Sequence, residues 1–109
     1  MYAYFETGST EPMPIAPTMA DGVAGNIERT SITWKLNRQL VDEVVVIEED
    51  EIADSMRWAL DVPHILLEGR AVLGIAALRT GRVEVTGRNI VVVTTGRNVS
   101  PDVVRGLFG

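Results

Sequence analysis

The residues best placed to do chemistry form a polar turn at the end of the most apolar stretch of the chain. Residues 89–94 read NIVVVT, and a Thr-Gly-Arg-Asn turn follows at residues 95–98. An uninterrupted run of β-branched residues is typical of a parallel strand that is covered on both faces. Ligands of open α/β sheets bind beyond the carboxyl ends of such strands. Thr95, Gly96 and Asn98 therefore either contact a ligand or form an ordinary strand-to-helix turn.

A second candidate is Glu68, a carboxylate placed between two apolar stretches. It follows Ile-Leu-Leu at residues 65–67 and precedes the small-residue segment Arg70–Leu78. That segment is apolar nearly all round, which predicts a buried helix. An acidic residue at the start of a helix is stabilised by the helix dipole. Glu68 therefore either stabilises the helix start or faces a ligand, and the pattern leaves both interpretations open.

Four consecutive acidic residues at positions 48–51 are a third candidate, since converging carboxylates can bind a metal ion. Acidic residues also favour the positive end of a helix, and apolar residues at helical spacing follow up to Leu60. We favour the helix start over the metal site. Pro63 ends the predicted helix, because proline lacks a backbone donor and restricts the residue before it. His64 is the only histidine, and we interpret it as structural.

The elements that must position these residues predict an α/β fold in which a parallel sheet is flanked by about four helices. The predicted strands are Val44–Ile47 and Ile90–Thr94, with Arg82–Val85 as a weaker candidate. The helices are predicted at residues 31–41, 48–60, 70–78 and 101–107, the last with Ser100 as its cap. Residues 1–26 are rich in Gly and Pro, and predict a loop-rich connection with a short helix at residues 1–6. Residues 27–109 would then form the α/β part of a single unit.

Composition excludes several classes of protein. The chain has 109 residues, of which 46% are hydrophobic and 23% charged, as expected for one globular domain. Its net charge of -5 argues against a nucleic-acid backbone as partner. The absence of cysteine excludes disulfides and a thiolate nucleophile. Without a signal-peptide pattern or a membrane-length apolar stretch, we expect a cytoplasmic protein that binds no membrane.

Five stretches resemble, in order and spacing, the threonine/serine dehydratase (ammonia-lyase) family of fold-type II pyridoxal-phosphate enzymes. They are PTMADG at 17–22, LVDEVV at 40–45, residues 49–56, LEG at 67–69 and VVVTTGRNV at 91–99. GNIE at 25–28, followed by SITW at 31–34, is most similar to the branch that includes hydroxyectoine-utilisation dehydratases. The resemblance implies a parallel sheet of the kind found in the β-subunit of tryptophan synthase.

The resemblance also implies roles for four residues in binding pyridoxal phosphate. Thr95 matches the hydroxyl residue that hydrogen-bonds the pyridine nitrogen of the cofactor. Glu68 matches a glutamate near the cofactor ring. Gly96 and Asn98 match the first glycine and the asparagine of the family's hydroxyl-Gly-Gly-Asn turn.

The chain departs from the family pattern beside this predicted site. Arg97 replaces the usual second glycine of the turn, and Arg70-Ala71 replaces a small Ala-Gly pair after Glu68. Either arginine would bring bulk and charge close to the ring pocket. Binding of the cofactor is therefore a less secure inference than the fold.

The resemblance covers only the last third of the family's length. The family's Ser-Phe-Lys motif, whose lysine carries the cofactor, and its glycine-rich phosphate loop have no counterpart here; Lys35 is the only lysine and does not match. We therefore expect a C-terminal fragment of a homo-oligomeric enzyme that eliminates the hydroxyl of serine or threonine. Alone, it should bind no cofactor and have no activity. The alternative is a non-catalytic α/β module for binding or assembly.

Overall fold

The computed structural model describes all 109 residues, which form five α-helices, two 3-10 turns and no β-strand. The α-helices are α1 (Tyr2–Thr7), α2 (Ile32–Leu40), α3 (Glu49–Asp61), α4 (Leu73–Arg79) and α5 (Pro101–Phe108). The 3-10 turns span Asp21–Val23 and Gly69–Val72. No helix is both long and apolar enough to span a membrane.

Helix α3 begins at the acidic run, as predicted. The Glu48 backbone N–H donates to the Glu51 carboxylate at 2.8 Å, which is the contact of a capping box. Glu49, Asp50 and Glu51 occupy the first turn, where the helix dipole favours negative charge. The helix ends at Asp61, before Pro63. The interpretation of the acidic run as a helix start is therefore confirmed.

Helices α2 and α5 also lie where the sequence predicts them. Helix α2 falls inside the predicted range 31–41. At the start of α5, the Val103 backbone N–H donates to the Ser100 hydroxyl at 3.3 Å, and Pro101 takes the first helical position. The helix predicted at 70–78 is present in two parts, because its first turn is the 3-10 turn Gly69–Val72 and only α4 is α-helical.

The core lies where α3, the Gly69–Val72 turn and α5 meet. Its buried members are apolar side chains: Ala20, Ile52, Met56, Ala59, Leu67, Ala71, Val72 and Leu107. Met56 and Val72 are at most 1% exposed. Because the Gly69–Val72 turn belongs to this core, the residues that precede it are held firmly beside α3.

A smaller aromatic cluster joins the two ends of the first forty residues. The ring of Trp34 in α2 meets Tyr4 and Phe5 of α1 edge-on, with centroids 6.1 and 5.7 Å apart. The Tyr4 hydroxyl donates to the Asn26 side chain, which also accepts the Met13 N–H at 2.8 Å. The Asn26 contact holds Met13 in the middle of residues 8–20, which form no helix or strand.

The predicted strands Val44–Ile47 and Ile90–Thr94 are absent from the structure, and so is the weaker candidate Arg82–Val85. No backbone group of residues 42–47 or 89–95 makes a hydrogen bond to another backbone group. A strand exists only when a neighbouring segment accepts and donates these bonds, and an apolar sequence does not supply one. Val91 is 89% exposed and Val93 76%, so the prediction of a covered strand is wrong for these residues and the parallel sheet is not confirmed.

Candidate functional site

Two of the predicted site residues, Glu68 and Gly96, are in direct contact. Glu68 is 7% exposed, and its backbone N–H donates to the Gly96 carbonyl at 3.3 Å. Gly96 has a φ of +103°, a conformation that L side chains rarely adopt. A Cβ at this position would lie 1.6 Å from Oε1 of Glu68. The turn can approach the carboxylate this closely only because residue 96 is glycine.

The Glu68 carboxylate is paired with Arg70, two residues further along the chain. Nη2 of Arg70 lies 3.2 Å from Oε1 of Glu68. Glu68 occupies the cap position of the Gly69–Val72 turn, but its side chain makes no capping hydrogen bond. The sequence left open whether Glu68 stabilises a helix start or faces a ligand. In the structure, its carboxylate makes no capping contact and is directed towards Arg70 and Gly96.

Glu68 lines an open pocket of about 430 Å³. The pocket is built by three segments of the chain: Met19 and Asp21, then Met56, Glu68 and Gly69, and finally Asn98, Val99, Ser100, Pro101 and Val103. The first two segments touch, because a Cβ on Gly69 would lie 2.1 Å from the Met19 carbonyl oxygen. The Met19 N–H donates to the Glu49 carboxylate at 2.9 Å, which ties the same segment to the start of α3.

The structure brings three of the four predicted site residues together. Glu68 and Asn98 line the pocket, and Gly96 packs against Glu68. Thr95, one residue before Gly96, is exposed, makes no side-chain hydrogen bond and does not line the pocket. Its hydroxyl is free to bind a group outside the chain.

Among the lining residues of this pocket that sequence reasoning missed are Met19, Asp21 and Gly69. Each lies in a stretch that supports the family resemblance, at residues 17–22 or 67–69. The signal was an Asp-Gly pair and a Glu-Gly pair, since glycine often marks a close backbone approach. Nothing in the spacing shows that these two stretches meet.

The pocket carries negative charge. Its only charged lining residues are Asp21 and Glu68, and Asp21 forms no ion pair. No lysine or arginine lines it. Because Arg70 neutralises Glu68 from outside the pocket, the unpaired Asp21 sets the charge of the lining, which favours a neutral or cationic group over a phosphate dianion.

The comparison with known proteins decides the family. Residues 1–96 match the family described as pyridoxal-phosphate dependent enzyme. The chain belongs to this family. Its relatives include threonine dehydratases and ammonia-lyases, so the resemblance seen in the sequence is confirmed. The placement in the hydroxyectoine-utilisation branch stays a prediction.

Three relatives illustrate the match. The chain is 31% identical over 104 residues to L-threonine ammonia-lyase of Thermotoga maritima, which covers 95% of this chain and 25% of the relative. It is 35% identical over 100 residues to a putative threonine dehydratase of Sinorhizobium fredii, with 91% and 30% covered. It is 30% identical over 112 residues to the catabolic L-threonine dehydratase TdcB of Escherichia coli K12, with 100% and 33% covered. The chain thus spans a quarter to a third of these relatives and matches their C-terminal part.

The family implies pyridoxal phosphate in the complete enzyme. The residues of this chain offer two groups that fit the ring end of the cofactor: Glu68 supplies a fixed carboxylate that lines the pocket, and Thr95 supplies a free hydroxyl beside the same turn but outside the lining. They do not fit its phosphate end, since no basic side chain lines the pocket. Lys35 is exposed on α2 and does not line the pocket either.

Proposed function

We propose that this chain is the C-terminal part of a pyridoxal-phosphate-dependent threonine/serine dehydratase. The reaction removes the α-proton and the β-hydroxyl of the amino acid and yields a 2-oxo acid and ammonia. The observation that carries the proposal is the contact between Gly96 and Glu68, which places the family's polar turn against its buried glutamate. The names of the relatives, threonine dehydratase and threonine ammonia-lyase, support the substrate class.

Thr95 would hydrogen-bond the pyridine nitrogen of the cofactor. When bound, pyridoxal phosphate supplies an electron sink for the carbanion that forms at the α-carbon. A hydroxyl is a weaker proton source than a carboxylic acid, so Thr95 would leave the ring only moderately electron-withdrawing. This suits β-elimination better than transamination.

Glu68, Gly96 and Asn98 would shape the ring end of the pocket. Glu68 is fixed on one side by Arg70 and on the other by the Gly96 backbone, so its carboxylate has one well-defined position. Asn98 adds an amide to the same wall. A pocket with fixed polar groups aligns a bound ring without reorganising them, which favours reaction.

The group that carries the cofactor and takes the α-proton would come from outside this sequence. In the family this group is a lysine. Lys35 is the only lysine here, and it lies on the exposed surface of α2. We therefore expect the chain to be inactive by itself and to bind no pyridoxal phosphate firmly without the rest of the enzyme.

We further expect the complete enzyme to be a cytoplasmic homo-oligomer that acts on a small amino acid and binds neither nucleic acid nor membrane. Exposed apolar residues such as Val91 and Val93 support association, because apolar surface of this kind is usually covered by another chain. A non-catalytic assembly module would share this property. The two proposals differ in whether Thr95 matters for turnover.

A chimera tests the proposal. This chain replaces the matching C-terminal part of the E. coli relative TdcB, and formation of 2-oxobutyrate from threonine is followed with saturating pyridoxal phosphate. We expect activity, and a loss of about tenfold or more for Thr95→Ala, because a hydrogen bond to a charged group is worth roughly 1.5–3 kcal/mol.

Thr95→Ser is the matched control, since it keeps the hydroxyl, and it should keep most of the activity. Bound cofactor is read in parallel from its absorption band. If Thr95→Ala and the unsubstituted chimera turn over threonine equally, the assignment of Thr95 is wrong. A chimera that folds and binds cofactor but shows no activity would favour the assembly module.

A further inference from the structure

Arg70 stands where the family has a small residue, and the sequence suggested that it would crowd the ring pocket. The structure places it elsewhere. Arg70 does not line the pocket, and its side chain lies behind Glu68, with Nη2 3.2 Å from Oε1. The arginine therefore acts on the pocket from outside, in the first place through the carboxylate that it contacts.

The same side chain also lies against the Asp21–Val23 turn. A Cβ added to Gly22 would be 2.4 Å from Cδ of Arg70 and 2.9 Å from both Nε and Nη1. The guanidinium and its stem thus rest on the bare backbone of Gly22. Asp21, the neighbour of Gly22, lines the pocket together with Glu68. One arginine consequently touches the segments that carry both charged residues of the pocket.

This ion pair is less exposed than three of the other four ion pairs of the protein, and only Arg82–Glu51 is buried to a similar degree. The side chains of Arg105 and Asp102 are 77% and 81% exposed, whereas those of Arg70 and Glu68 are 41% and 10% exposed. Exposed pairs are screened by solvent and hold their side chains loosely. A pair with one nearly buried partner that is also packed against Gly96 has little freedom to rearrange.

We propose that Arg70 is a positioning residue that fixes Glu68 against the Gly96 turn and joins it to the Asp21–Val23 turn from outside the pocket. Its catalytic consequence rests on the function proposed above, but its structural part does not. Loss of Arg70 should free the Glu68 side chain, loosen the Gly96 turn and let the two walls of the pocket move apart.

The structural part is tested on the chain itself by NMR. Arg70→Ala should shift the amide resonances of both Gly22 and Gly96 and speed hydrogen exchange of the Glu68 amide at least about fivefold, since that amide bonds to Gly96. Arg70→Lys, which keeps the charge, should restore most of the protection. Arg105→Ala is the matched control and should change none of these three amides.

Gly22→Ala provides a second variant, because its methyl group would displace the Arg70 side chain while leaving the arginine in place. It should reproduce the shift at Gly96 and the faster exchange at Glu68. Unchanged exchange at Glu68 in both Arg70→Ala and Gly22→Ala would overturn the proposal. An equal effect of Arg105→Ala would do the same, because any lost surface pair would then suffice.

The functional part uses the chimera with TdcB. We expect Arg70→Ala to lower kcat about tenfold with little change in KM, to shift the cofactor absorption band, and to be rescued largely by Arg70→Lys. Loss of activity without rescue and without a spectral change would indicate a merely structural role and overturn the proposal. Thr95→Ala separates the two inferences: if Thr95→Ala is silent but the NMR effects of Arg70→Ala are present, the proposed function fails and the positioning role of Arg70 stands.

Discussion

Two apolar regions of this protein behave in opposite ways. The α3 region contributes Ile52, Met56 and Ala59 to the core, each at most 1% exposed. The valine-rich segments at residues 42–47 and 89–95 are at least as apolar in sequence, yet Val91 and Val93 are largely exposed and their backbones form no hydrogen bonds with other backbone groups.

The difference lies in where each region finds partners for its backbone. A helix satisfies its own N–H and C=O groups, so α3 needs only an apolar face to pack. The N–H and C=O groups of a strand must hydrogen-bond to those of a neighbouring strand. The valine-rich segments have none within this chain; Ile47 still packs against the core, but side chains such as Val91 and Val93 are left largely exposed. Apolar character alone therefore produces a core in the first region and an exposed surface in the second.

Shortening one isoleucine to alanine in each region should lower the free energy of unfolding strongly in the first region and little in the second. Ile52→Ala should lower the free energy of unfolding by roughly 2–5 kcal/mol, because it leaves a cavity in the core around α3. Ile90→Ala, at a residue that is 45% exposed, should cost about 1 kcal/mol or less. Urea unfolding followed by circular dichroism measures both. Equal losses would show that the valine-rich segment is as well packed as the core.

The second prediction concerns the Gly96 turn, which follows the segment 89–95 and packs against Glu68. Gly96→Ala should destabilise the chain by roughly 3 kcal/mol, because alanine is strained at a φ of +103° and its Cβ would collide with Glu68. Gly87→Ala is the control, because Gly87 has a φ of +73° and no heavy atom within 4 Å of the added Cβ. It should cost only about 1–2 kcal/mol from backbone strain. If the two variants are equally stable, the contact between Gly96 and Glu68 does not exist in solution.

A smaller effect is expected where the start of α3 meets the segment after α4. The Glu48 N–H and the Arg82 guanidinium both hydrogen-bond the Glu51 carboxylate, and they lower its pKa below 4.5 in the folded chain. A carboxyl whose pKa is lowered by folding stabilises the fold above its unfolded pKa and loses this contribution as the pH falls through its folded pKa. Stability should therefore decrease on acidification below about pH 4.5, in part through Glu51.

Glu51→Gln measures this contribution, because the amide keeps the shape and loses the titration. The urea midpoint of the variant should lie below that of the unsubstituted chain at pH 7, and the gap should close as the pH falls below 4.5. Glu6→Gln, at an exposed acid of α1 that forms no ion pair, is the control and should show no such gap. A gap that stays constant between pH 7 and pH 3 would contradict the assigned role of Glu51.

Local signals in the sequence predict the helices well. The acidic run at the start of α3, Pro63 after its end, and the Ser100-Pro101 pair before α5 each act within a few residues, and each is found where expected. The first turn of the predicted helix at 70–78 is 3-10 instead of α, and nothing in its small, apolar residues distinguishes the two forms.

The strands could not be predicted in the same way, because pairing depends on segments far apart in the chain or outside it. The candidate site, too, could be predicted from the sequence only in part. The family pattern identifies Glu68, Gly96 and Asn98, but the contact of Gly96 with Glu68 and the position of Arg70 behind the pocket depend on how three distant segments pack. The sequence predicts that Arg70 brings bulk and charge close to the ring pocket; in the structure it lies outside the lining, against the bare backbone of Gly22.

We propose that this chain supplies the ring end of a cofactor site whose covalent anchor lies elsewhere. The most direct test is to mix pyridoxal phosphate and borohydride with the purified chain and with the TdcB chimera, and to locate the reduced adduct by peptide mass. We predict one stoichiometric adduct on a lysine of the E. coli portion of the chimera and none on Lys35 of the chain. A stoichiometric adduct on Lys35, with a shifted cofactor band, would show instead that the chain has an independent cofactor site.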